Sequence, residues 1–425
     1  MTVPQKSCNL KRIKWLPIVL WAAFILANPV PAAYPEDYIS VPGLMDLRTT
    51  FSDGAHSPED LVLIARLRGF RVLFFNDHHR VKMTYGISPF RNVLKYSKEL
   101  PSLMTHGPAL YLGELERLSR RNPDMILVPG SILSPFYYWS GSWFRGNLTA
   151  HNYDRKILVF NLTPSEHYER VPAFSPYEGD QGIAPFQETI DYLQERGGVA
   201  FWNYPEQRSG IRKHGFVNLS TLPCPEVLHE SSNYTGFAAI YGDHITATDP
   251  GKHWDRVLTE YCDGKRAKPA WGISTADFHE DGRLGLKLGA FPTTFLVKEF
   301  SKPAILDALC KGRMYCSRGD GRSWPRLDYF NVHGPEGGRA HMGETLVTAG
   351  IPTVKFRVSY QGDEKVPMTI HVVRGGALVR TVTGETPLQF EIGDEGAPVG
   401  RMTYFRLVDS QKLLASNPIF VKRRE

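Results

Sequence analysis

The chain reads as an α/β protein, a closed or nearly closed barrel followed by a small β-sandwich, and three features predict this. From about Val41 to Arg322, short apolar runs alternate with amphipathic stretches. Polar residues recur where those runs end. After about Trp324 the helical patterning stops and short runs of alternating apolar and polar residues take over.

The first feature fixes the barrel. Segments 44–47, 72–75, 126–128, 157–161, 199–202, 238–241 and 270–273 are short apolar runs bounded by turn residues, as strands covered on both faces require. Between them, 58–68, 110–121, 186–196 and 254–262 carry helical periodicity. The first helix has a strong start signal: Ser57 as cap, Pro58 at the first position, and Glu59 and Asp60 in the first turn. Strands alternating with helices predict parallel pairing through helical crossovers, here about seven units over residues 41–322.

In such barrels the chemistry sits where strands pass into loops. The residues there are Arg48 and Thr50, Asp77 and His78, Ser131, Asn203, and Asp277 with His279. A single Asp-His pair would be ordinary loop chemistry; recurrence at strand after strand predicts a site. The aromatic run Phe136 to Phe144 follows the Ser131 strand and is expected in a loop over the barrel mouth. His214, His229, His244 and His253 match no such position and read as surface or core histidines.

Residues 325–425 contain strand patterns at 353–360, 368–373, 378–382, 388–392, 402–408 and 419–421, separated by turn signals such as Gly375-Gly376. That spacing predicts a β-sandwich serving as a packing or binding module.

At the N-terminus, Lys6, Lys11, Arg12 and Lys14 precede an apolar run, residues 15–27, broken by Pro17. Val30 and Ala32 then fit a cleavage site before Ala33. Residues 1–32 therefore read as a secretory signal peptide, since the run falls short of the about 20 apolar residues a spanning helix needs. The expected location is periplasmic or extracellular; the alternative is an uncleaved membrane anchor formed by residues 15–27. Export leaves Cys224, Cys262, Cys310 and Cys316, which allow bridges 310–316 and 224–262 or remain four thiols. The sequons at Asn147, Asn218 and Asn233 matter only in a glycosylating host. With 42% hydrophobic and 22% charged residues and a formal net charge of +6, the composition is that of an ordinary globular protein. No basic run follows the N-terminus, so no nucleic-acid partner is expected.

One stretch carries more specific information. Asp46-Leu-Arg-Thr-Thr-Phe-Ser-Asp-Gly54 follows the pattern Asp-Leu-His-x-His…Ser-Asp-Gly, in which paired histidines open a multinuclear metal site, but Arg48 and Thr50 stand at the histidines. Further on, a glycine, an apolar strand and Asn-Asp77-His78 resemble Gly-(strand)-Thr-Asp-His. Val128-Pro-Gly130-Ser131 resembles Pro-Gly-x-Glu, and Lys156 heads a strand where a histidine is expected. Gly197-Gly-Val-Ala-Phe-Trp-Asn203-Tyr-Pro205 resembles Gly-Gly-(strand)-His-Pro, and Ser274-Thr-Ala-Asp277-Phe-His279 resembles Gly-Ser-Asp-x-His. In this order, across residues 41–322, the motifs resemble the PHP (polymerase and histidinol phosphatase) family.

The resemblance implies a distorted seven-stranded α/β barrel and a metal-dependent phosphoesterase or other hydrolase. It also implies which positions hold metal. Those shared by two of the metals read Arg48, Thr50, Ser131, Lys156 and Asn203 here, with Asp277 kept. Those of the third read Asp53, His78 and His279, a set able to hold one divalent ion (zinc, manganese or iron) or to remain a hydrogen-bonded cluster. Catalytic candidates are Asp77 and Asp277. Arg48 and Lys156 are expected to neutralise Asp277, or to bind an anion such as a phosphorylated ligand. Two readings follow: a hydrolase with a reduced site, or a non-catalytic protein, a pseudoenzyme, that binds an anionic ligand at the barrel mouth. A membrane contact is expected only if the N-terminal segment stays uncleaved.

Overall fold

The nine strands that build the site follow the apolar runs closely. They are β1 (Tyr38–Leu47), β2 (Val72–Phe75), β3 (Ile126–Leu133), β4 (Lys156–Phe160), β5 (Val199–Asn203), β6 (Gly236–Ile240), β7 (Trp271–Ser274), β8 (Pro292–Val297) and β9 (Met314–Ser317). Helices α1 (Pro58–Leu67), α2 (Pro108–Arg121), α3 (Ala184–Glu195), α4 (His253–Cys262) and α5 (Lys302–Lys311) lie between them. The structure is a computed structural model that describes residues 33–34, 38–91, 93–207, 210–242, 245–283 and 286–424. Residues 1–32 and His244 lie outside the described residues. Pro31–Glu425 forms one compact unit. Among the described residues no helix is long and apolar enough to cross a membrane.

The strands lie in the order β7-β6-β5-β4-β3-β2-β1-β8-β9 within a mixed sheet. This sheet curls until its β7 end meets β1, which lies inside the strand order: Leu47, at the end of β1, bridges Phe278, just past β7. Arg48 N–H donates to Phe278 O at 2.8 Å and Phe278 N–H to Asp46 O at 3.1 Å. Below this bridge, side chains rather than a backbone ladder tie β7 to the rest of the sheet. Thr293 Oγ1 accepts from Ser274 N–H at 2.9 Å, and Asn417 Nδ2 donates to Gly272 O at 3.1 Å. The strands are apolar on both faces because the helices cover one face and the curl encloses the other; β2, β3 and β5 through β9 are buried throughout.

The expected all-parallel pairing is corrected at β4. β1, β2 and β3 run parallel, as do β5, β6 and β7, but β4 is antiparallel to both β3 and β5. A parallel return needs a crossover, usually helical. Residues 134–155 offer only the short strands Tyr138–Ser140 and Thr149–His151 and the single turn Trp143–Arg145, so the chain comes straight back. Helices are correspondingly fewer than strands. Residues after β2 form the hairpin Val81–Gly86/Lys95–Leu100, and residues after β5 form the hairpin Gly210–His214/Val217–Thr221.

The α1 start is built as its residues dictate. Ser57 Oγ accepts from Asp60 N–H at 3.1 Å while the Asp60 carboxylate accepts from Ser57 N–H at 3.0 Å, a reciprocal capping box. The four cysteines are free, which corrects the bridge expectation. Cys316 is buried on β9 whereas Cys310 is exposed on α5. Beyond β9 the sheet continues without interruption through Leu414–Ser416, Met402–Asp409, Pro367–Arg374 and Ala377–Glu385. A separate four-stranded sheet contains Pro325–His333, Arg339–His341, Thr353–Tyr360 and Leu388–Gly393. Phe330, Phe356, Ile370 and Leu407, from both sheets, share one apolar cluster.

Candidate functional site

The site begins with an irregularity in β1. Its register against β2 slips between Leu44 and Leu47, and Asp46 adopts φ 65°, in the left-handed region. Such a bulge re-aims the side chains that follow it. It buries both Asp46 and Arg48 completely. Asp277 and Tyr204 also have positive φ, at 46° and 49°, so three non-glycine residues with this costly backbone converge on one place.

At their centre lies Arg48. Its Nη1 donates to Asp46 Oδ1 at 2.5 Å and to Asn76 O at 2.6 Å, and its Nη2 donates to Asp277 Oδ1 at 3.0 Å. Asp46 Oδ2 accepts from Asn203 Nδ2 at 3.2 Å, from Asp277 N–H at 3.2 Å and from the Tyr204 hydroxyl. Burial pulls the Arg48 guanidinium down, but Asp46 and Asp277 raise it further, so it stays charged. Burial raises the Asp277 carboxyl, and Arg48 and then Lys156 outweigh this and hold it below the usual range. Arg48 Nε and Asn203 Oδ1 are buried and make no hydrogen bond.

The turn after β1 is held by Asp77. Its carboxylate accepts from Thr49 N–H at 2.7 Å, Thr49 Oγ1 at 2.8 Å and Ser52 Oγ at 2.6 Å. With its acceptors turned to the loop, this catalytic candidate acts as the loop's anchor. Gly54 closes the same turn; a Cβ there would lie 2.4 Å from the Arg48 carbonyl, which leaves no room for any other residue. Gly130 likewise lets three strands close up, since a Cβ there would meet Val159 O at 2.5 Å. Ser131 is buried and donates to Asp77 O at 3.0 Å.

Toward the surface, Asp53 Oδ2 lies 3.1 Å from His279 Nε2 and 3.6 Å from His78 Nε2. His279 Nδ1 donates to Asp277 O at 2.6 Å, which leaves Nε2 directed at Asp53. Burial resists ionisation of Asp53, yet the hydrogen bond with His279 and the nearby His78 imidazole hold its carboxyl far below the carboxylate range. Burial lowers His79 and His78 alike to about 4. In His279 burial is overcome by Asp53 and Asp277, and the net shift is upward. Two imidazoles shifted in opposite directions therefore flank one carboxylate.

The structure thus brings Arg48, Asp53, His78, Asn203, Asp277 and His279 together. Lys156 joins at a distance: the nearest carboxylate to its Nζ is Asp154 at 3.9 Å, and it reaches Asp277 through the field alone. Thr50 does not join. It is exposed and its backbone N–H turns to His56 O at 3.0 Å. Asp46, Thr49 and Tyr204 were not singled out as site residues. Tyr204 follows Asn203 directly, but a buried tyrosine after a strand gives no sequence signal of its own. His229 is paired elsewhere, its Nε2 lying 3.0 Å from His253 Nδ1.

A multinuclear metal centre does not fit these residues. A fully buried guanidinium already occupies the space between Asp46 and Asp277 and pairs with both; a dication added there would face it with like charge. Among the described residues, no group of three or more His, Cys, Asp or Glu side chains is arranged to hold a metal ion. Asp53, His78 and His279 do converge, but on one another.

No family model and no curated protein matches this sequence. Solved structures are similar at low identity. A two-domain protein from Bacteroides vulgatus, containing a predicted PHP-like metal-dependent phosphoesterase, is 14% identical, with 87% of this chain and 91% of that chain covered and a TM-score of 0.39. An amidohydrolase from Chromobacterium violaceum, with bound sulfate and no metal, is 12% identical over 57% of this chain and 88% of that chain, with a TM-score of 0.31. The chain is thus similar to PHP-like phosphoesterases and to an amidohydrolase, and the likeness assigns no residue a role.

Proposed function

We propose that this protein is an exported relative of the PHP phosphoesterases whose metal-dependent hydrolysis is reduced or lost, and whose barrel mouth binds a small phosphorylated or otherwise anionic ligand. One observation carries the reading: Arg48, wholly buried, bridges Asp46 and Asp277 where the resemblance would set metal. Arg48 supplies one positive charge against the two carboxylates: it helps hold Asp277 below the usual carboxylate range, while burial still raises Asp46. Lys156 supplies positive charge at the mouth and His279 is shifted towards its charged form, and the unpaired Arg48 Nε and Asn203 Oδ1 leave polar capacity at its floor.

In this reading residues 1–32 direct export to the periplasm or cell surface. The two sheets that enclose Phe330, Phe356, Ile370 and Leu407 support a β-sandwich over residues 325–425, appended to a barrel over 41–322.

The test pairs metal analysis of the purified chain with binding of phenyl phosphate by calorimetry and a phosphoesterase assay across added zinc, manganese and iron. Metal-free protein that binds phenyl phosphate, weakened in Lys156→Gln and without turnover, is expected. Stoichiometric metal with turnover, both lost in His78→Ala, would sink the proposal.

A further inference from the structure

The loops leaving the barrel mouth carry an unusual surface. β2, β3 and β5 point the same way, because β2 and β3 are parallel and β3 and β5 are both antiparallel to β4. The segments after them therefore emerge at one end. They join into a single layer: Gly210–His214, Val217–Thr221, Thr149–His151 and Tyr138–Ser140 form one sheet. Trp139 Nε1 ties that sheet to the Val81–Gly86 hairpin by donating to Thr84 O at 2.9 Å.

Every exposed large aromatic among the described residues lies on the projecting parts of this layer: Phe90, Tyr96, Trp143, Phe144 and Phe216. Phe144 is 82% exposed and Phe216 is 76% exposed, and Trp143 packs on Phe216 with ring centroids 5.4 Å apart. Val93, Leu94 and Ile211 are exposed beside them. The charges around these tips are mostly positive, although Arg212 is paired with Asp154. Segments 81–100, 142–147 and 210–221 hold Lys82, Arg91, Lys95, Lys98, Arg145, Arg212 and Lys213 against a single acid, Glu99, itself paired with Lys82 at 2.9 Å.

We infer that this end of the molecule docks on an anionic phospholipid surface, with the aromatic and aliphatic tips entering the headgroup region and the lysines and arginines meeting lipid phosphates. The tips stand on separate hairpins, so what covers them must yield to several protrusions at once; a fluid bilayer does, and a dissolved polyanion offers no apolar phase. Aromatic rings beside basic chains suit the boundary between headgroup and acyl chain, where ring and stem are apolar and the charge stays wet. The inference does not depend on the chemistry at Arg48 or on the N-terminal apolar segment. It brings the barrel mouth to the membrane, so an anionic headgroup would meet the site first.

The test uses the full chain and vesicles of phosphatidylcholine, with or without phosphatidylglycerol, carrying brominated acyl chains. Binding is expected to the anionic vesicles, with quenching of Trp143 fluorescence that disappears in Trp143→Phe while any signal from Trp15 and Trp21 persists. Phe144→Ser combined with Phe216→Ser is expected to weaken vesicle binding about tenfold or more, as loss of apolar insertion requires. Lys95→Gln combined with Lys98→Gln is expected to weaken binding to anionic vesicles only. Unchanged binding in the aromatic variant, an unquenched Trp143, or equally tight binding to soluble polyphosphate would overturn the inference.

Discussion

Arg48 and Asp277 form an ion pair at 3.0 Å across the junction where the curled sheet meets itself, with Arg48 0% and Asp277 38% exposed in their side chains. The pair joins the end of β1 to the segment after β7, beside the Leu47–Phe278 bridge. The same guanidinium holds Asp46, so one side chain fastens the floor of the site and the seam of the barrel.

Removing that side chain leaves buried carboxylate behind. Arg48→Met is expected to cost about 3–5 kcal/mol in chemical denaturation, the range for breaking a buried ion pair on one side. Arg48→Met with Asp46→Asn is expected to recover part of the loss, because the stranded charge goes with its partner. A single variant within about 0.5 kcal/mol of the parent, the range of an ordinary surface change, would mean the network bears no load.

A second buried pair fastens α4 to the C-terminal strands. Arg406 Nε and Nη2 donate to the two oxygens of Asp255, each at 2.6 Å, and Tyr404 donates to the same carboxylate at 2.8 Å. Both charged side chains are buried and the guanidinium lies 5.0 Å over Trp254. Arg406→Lys keeps the charge but loses the planar fork, so it is expected to unfold at lower denaturant than the parent by about 2 kcal/mol or more. Arg406→Lys melting with the parent would count against a bidentate lock.

Much of this fold was legible because buried strands write themselves as apolar runs. Segment 72–75 and strand Val72–Phe75 coincide, and the Ser57 cap appears where its neighbours place it. What escaped was decided by contacts far apart in sequence. The reversal of β4 depends on residues 134–155 lacking a crossover helix, and a short aromatic run does not announce that. Asp46 sits inside the motif, yet its part in the site comes from a bulge and a left-handed backbone, to which a sequence pattern is blind. Asp77 is a candidate because polar residues recur where strands end; that Thr49 and Ser52 fill its acceptors is visible only in the fold.

Acid should weaken the protein through its buried histidines. Burial lowers His79 to about 4, its Nε2 donating to Tyr168 O at 2.7 Å, whereas the unfolded chain titrates near 6.5. The unfolded state therefore binds more protons between those values. Stability is complete above about 6.5 and falls as pH drops towards about 4, by up to about 3 kcal/mol for this one group. His78 and His229, also lowered to about 4, act with the same sign. Melting temperatures from pH 7 to 4 should fall less steeply in His79→Gln, which keeps a donor for Tyr168 O; an unchanged slope would contradict the assignment.

The most direct test of the account is elemental analysis of the full chain after growth in zinc, manganese and iron, made alongside Arg48→His. The parent is expected to carry substoichiometric metal, because the Arg48 guanidinium already occupies the space between Asp46 and Asp277, and metal is expected to rise only when the guanidinium is removed. A parent chain that holds divalent ions stoichiometrically, and keeps them through dialysis, would contradict it.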